Sequence, residues 1–207
     1  MNILETLEEK FNTVEPIFDY EIYELGYTDS DIADTLKENV FEEINIDESF
    51  GIKSKAYTLV QYSELFNLYT KVQGNSEQII IKYYIGNNNE YGYYSYLTLY
   101  NKLGLSTQVP NIMYIDSIRV DKSINIGNYI INKIIDEYSK EDLPYIYLST
   151  IFNFEYEVEY SLDNIFNKLK DKVVDIDKVL KMTKKERWNK VYEFFTQYKW
   201  WSHLRNV

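Results

Sequence analysis

The span Ile112 to Phe152 constrains this chain more than any other, because β-rich residues occupy both of its ends. Ile112 to Val120 reads as a strand, and a polar turn ending at Gly127 follows it. Beyond the turn, Ile126, Tyr129, Ile130 and Ile134 form one helical stripe, and Ile131, Ile135 and Tyr138 add a second. A helix apolar on two sides packs against a sheet and is covered by something else. Pro144 opens a further β-rich run, Tyr145 to Phe152. Strand, turn, helix and strand in that order predict a βαβ unit with two parallel strands and a right-handed crossover.

The rest of the chain predicts the surroundings of that unit. Asn2 to Phe11 has apolar residues at helical spacing, and Pro16 ends it ahead of a short strand, Ile17 to Tyr23. Thr28 to Asp31 supplies N-caps for a helix reaching about Ile44. Ala56 to Tyr62, Leu65 to Val72 and Gln78 to Ile85 read as strands, while Tyr93 to Leu103 suits helix or strand. Residues 155 to 182 read as a helical insertion, Thr183 to Glu186 as a capping box for a helix to Tyr198, and the tail from Trp200 as a last strand. At 207 residues and 45% hydrophobic content, the expectation is one globular domain of mixed α/β (α+β) class.

Charge is distributed unevenly. Residues 1–50 carry 15 Asp and Glu against Lys10 and Lys37, a balance of −13, whereas the remainder is close to neutral at +2. An acidic quarter repels nucleic acid and attracts cations or basic partners; it also serves as a solvated helix face. No cysteine is present, which excludes disulfides, thiolate metal sites and a cysteine nucleophile. No segment reaches the ~20 apolar residues of a membrane span, so the expected setting is cytoplasmic, with no membrane and no nucleic-acid partner. The 22 tyrosines reflect coding bias rather than function. His203, the single histidine, reads as a packing or surface residue.

A strand that ends in a short loop before a helix N-terminus makes an anion site from geometry alone. The run Ile118 to Ile131, with Lys122, Asn125, Gly127 and the aliphatic pair Ile130-Ile131, resembles motif A of the GNAT superfamily of N-acetyltransferases. Lys122 stands where that motif has Gln or Arg, and Asn125 where it has its first glycine. Val191 to Trp201 resembles the family's C-terminal helix motif, with Phe195 at the position often held by a tyrosine and Lys199 at a glycine position.

The resemblance implies a GNAT-like fold: a mostly antiparallel central sheet containing the βαβ unit, with flanking helices. It implies acetyl-CoA as co-substrate, with Ile118, Arg119 and Val120 offering backbone groups to pantetheine. Asn125, Ile126, Gly127 and Asn128 would face the pyrophosphate, with Lys122 beside it. It further implies acetyl transfer to a cationic amine, a polyamine-like molecule or a protein lysine, gathered by the acidic N-terminal helices. Asp116, on the strand before the motif, is the candidate base, and Tyr198, or else Tyr192, the candidate acid in place of Phe195. The alternative is a binding protein without catalysis that captures a basic protein partner through its acidic surface.

Overall fold

A computed structural model describes residues 2–11, 15–38, 40–63, 68–71, 76–135, 138–153, 162–173 and 175–199. The chain is mixed α+β, with mostly antiparallel sheets flanked by helices. Where the sequence suggests one domain, internal contacts divide the chain into two compact units, 1–83 and 84–207.

In the first unit, helix α1 (Ile3–Lys10) is followed by a two-residue strand β1 (Ile17–Phe18) and helix α2 (Asp19–Glu24). A four-residue turn leads to α3 (Asp29–Thr35), and Gly26 in that turn takes φ +89°. Strands β2 (Phe41–Ile44), β3 (Ala56–Ser63) and β4 (Leu68–Lys71) and helix α4 (Ser76–Tyr84) complete it. All pairings are antiparallel: β3 lies between β1 and β2 and also pairs β4. Helices α2 and α3 follow one another across that turn, and β2 pairs with β3 after them. The core of this unit is built from Leu7, Ile17, Ile22, Ile32, Phe41 and Tyr57 with their neighbours.

Three expectations change here. The strand expected over Ile17 to Tyr23 stops at Phe18, because the Glu21 carboxylate accepts the Phe18 N–H at 2.8 Å and starts α2. The helix that begins at Thr28 is capped as expected, through the Asp31 carboxylate and the Thr28 hydroxyl, but ends at Thr35 and yields to β2. Gln78 to Ile85 is helix α4 rather than a strand. Burial of Ile79, Ile80, Tyr83 and Tyr84 follows a helical period and overrides the β-propensity of three consecutive isoleucines.

In the second unit, β5 (Gly92–Tyr94), α5 (Tyr96–Lys102), β6 (Met113–Ser117), β7 (Ile124–Ile126) and β8 (Tyr129–Lys133) precede four helices. These are α6 (Leu143–Asn153), α7 (Leu162–Leu169), α8 (Ile176–Met182) and α9 (Trp188–Gln197). The sheet order is β5-β6-β8-β7, with β6 and β8 parallel and the other pairs antiparallel. The helices bury Leu148, Val173, Val179, Val191 and Phe195 in one core.

The second unit does contain a parallel pair, but it joins β6 to β8 rather than to the expected strand Tyr145 to Phe152, and the βαβ unit is not formed. The segment read as the crossover helix is the β7–β8 hairpin, and Tyr145 to Phe152, read as a strand, lies in α6. Ile126 pairs with Tyr129 across a two-residue Gly-Asn loop, with Gly127 at φ +56°. Positive φ at the first loop position marks a II′ turn, whose twist matches antiparallel strands. The expected insertion holds α7 and α8. The capping box expected at Thr183 to Glu186 is not formed: Thr183 ends α8, its hydroxyl donating to the Val179 carbonyl at 2.7 Å, and Lys184 precedes a 3₁₀ turn that leads into α9. The expected last strand from Trp200, with His203, lies outside the described residues.

Candidate functional site

The residues expected to cradle acetyl-CoA are engaged within the sheet. Arg119 donates its N–H to the Ser117 hydroxyl at 3.1 Å, and Ile118 donates its own to the Tyr91 carbonyl at 2.9 Å. Asn125 and Ile126 belong to β7, Gly127 and Asn128 form the hairpin loop, and the Asn128 carbonyl accepts the Met113 N–H at 2.8 Å. Val120 is buried, Lys122 is exposed, and the Arg119 guanidinium lies 3.5 Å from the Tyr91 ring centroid. The turn runs into strand β8 rather than into a helix, so the element that follows it supplies neither the free N–H groups nor the dipole of a phosphate cradle.

Asp116 occupies a different kind of place. Register puts Tyr93 of β5, Asp116 of β6 and Asn132 of β8 side by side on one face of the sheet. The Asp116 Oδ1 accepts from the Ser95 hydroxyl at 2.8 Å and from the Asn132 Nδ2 at 3.1 Å, and Tyr93 also bonds the carboxylate. Ser123 extends the row by donating to the Asn132 Oδ1 at 3.1 Å. Tyr138 and Tyr147 close around Tyr93, with ring centroids 5.6 and 6.4 Å away. Burial drives the Asp116 pKa above the ordinary carboxylate range; its three hydrogen-bond donors oppose that shift without cancelling it. Burial likewise raises the Tyr93 and Tyr138 hydroxyls.

The upward direction is the one a general base requires, and three donors, Ser95, Asn132 and Tyr93, already engage the carboxylate. Tyr198, the expected acid, packs against Phe166 and Phe194 at the end of α9, in the helical core. Phe195 is fully buried there. Asp116 and Tyr198 thus belong to separate clusters. Lys199 adopts φ +48°, so the residue at the motif's glycine position does have a left-handed backbone, as the residue after a helix C-cap commonly does.

The raised pKa has a stability consequence with a definite sign. Below about pH 4 Asp116 is protonated in both folded and unfolded chains and contributes nothing. As pH rises, the unfolded carboxyl ionises first, so the contribution becomes unfavourable and levels off above the folded-state pKa. Asp116→Asn keeps an oxygen for Ser95 and Asn132 and removes the charge. The stability difference between variant and wild type is therefore expected to move in the variant's favour from about pH 4 upward. Urea unfolding across pH measures it; a difference that does not vary with pH would contradict the buried-charge account.

A second site lies beside α3 in the first unit. A cavity of about 310 Å³ is lined by Asn2 and Ile3 from the start of α1, by Tyr27 from the turn, and by Asp31, Asp34, Thr35 and Glu38 from α3 and its end. Thr28 holds the Asp31 carboxylate and depresses its pKa, keeping it ionised. Tyr27 is fixed by a 2.7 Å hydrogen bond to Thr6. The outer face of α3 adds exposed Asp29, and Lys37 is matched locally by Asp34. Residues 1–83 hold 17 Asp and Glu against 6 Lys and Arg, a net of −11, while residues 84–207 hold 16 of each. Acidic composition was legible in the sequence; the cavity was not, because α1 and the turn reach α3 only through tertiary packing.

Among the described residues no group of three or more His, Cys, Asp or Glu side chains could hold a metal ion. Among those residues, too, no helix is long and apolar enough to cross a membrane. Compared with known proteins, the chain matches no family model, no curated protein and no solved structure.

Proposed function

We propose that this is a binding protein, acting in the cytoplasm without catalysis, whose acidic N-terminal unit captures a basic protein partner. The observation that carries the reading is the carboxylate-lined cavity beside α3. Nucleic-acid binders contact the phosphates with Lys and Arg. Here α3 presents Asp29, Asp31 and Asp34, which repel phosphate and draw in lysine and arginine. Acetyl transfer from acetyl-CoA to a cationic amine, the other reading of the sequence, keeps Asp116 as a candidate base but loses the helix N-terminus that its phosphate cradle requires.

The test measures capture of a polyarginine peptide and of a panel of purified basic proteins by the full chain and by Asp31→Lys/Asp34→Lys/Glu38→Lys. Affinity is expected to fall by about tenfold or more, chiefly through slower association and with a weaker salt dependence. Acetyl-CoA should alter neither capture nor melting temperature. Unchanged capture by the triple variant, or clear stabilisation by acetyl-CoA, would overturn the reading.

A further inference from the structure

We draw no further inference here: the strongest candidate, the cavity lined by the Asp31, Asp34 and Glu38 carboxylates beside α3, belongs to the site already described, and nothing in the structure shows which cationic group fills it.

Discussion

Lys82→Met is expected to destabilise the N-terminal unit by about 3–5 kcal/mol, most of what a small domain possesses. The Lys82 ammonium is 6% exposed and bonds the Pro16 carbonyl at 2.6 Å. It also pairs with Glu15 at 2.8 Å and Glu21 at 3.0 Å, and lies 4.9 Å from the Phe11 ring centroid. The same Glu21 oxygen that meets Lys82 also accepts the Phe18 N–H. One cation on α4 thus holds the entry to β1 and the first turn of α2. Met fills similar volume but leaves two neighbouring carboxylates without their counter-charge in a poorly solvated place.

The pH dependence distinguishes this account from simple loss of packing. Burial raises the Glu21 pKa, and Lys82 is the strongest influence pulling it back down. Without Lys82 the folded-state pKa rises further, so the variant's deficit is full at neutral pH. It shrinks as pH falls toward the unfolded value of about 4.3, where Glu21 is protonated in both states. Adding Glu15→Gln and Glu21→Gln to Lys82→Met should recover part of the loss at neutral pH, because a neutral cluster needs no counter-ion. Urea unfolding near neutral pH and near pH 4 measures both effects. A loss below about 1 kcal/mol would show that water already reaches the cluster.

What the sequence revealed and what it hid follow one physical division. Features set within a few residues were legible: the Thr28 cap, the β3 run from Ala56 and the helices of the 155–182 segment. Errors arose where β-branched content was read as strand, or stripe spacing as helix, without weighing the competing period. Tyr145, Leu148, Ile151 and Phe152 are buried at helical spacing, so α6 was present in the pattern beneath its β-rich composition. In Ile124 to Ile131 the buried residues instead alternate around Gly-Asn, a hairpin signal that a motif resemblance displaced. The Asp116 row and the α3 cavity were beyond reach for another reason. Each is assembled from segments far apart in the chain, and strand register or helix docking alone decides which side chains meet.

Gly92 tests that register most severely. A Cβ built there would lie 2.3 Å from the Asp116 carbonyl oxygen, 2.6 Å from that of Tyr84 and 3.0 Å from the Ser117 Cα. All three are backbone atoms, so no side chain can swing aside, and Gly92→Ala must push β5 away from β6. The displacement would carry Tyr93 off Asp116, and would break the bonds that the Gly92 carbonyl accepts from the Asn89 amide and the Tyr138 hydroxyl. The expected loss is about 3 kcal/mol or more, at or beyond the upper end for an overpacked core. Gly127→Ala is the informative comparison, since its Cβ would meet nothing within 4 Å and only its φ of +56° is unfavourable. It should lose about 1–2 kcal/mol, the cost of a left-handed residue with a side chain. If instead Gly92→Ala proves the milder substitution in urea unfolding, β5 is not held against β6 as tightly as its pairing with Ser117 and Asp116 requires. Asp116 would then owe its burial to Ser95 and Asn132 alone.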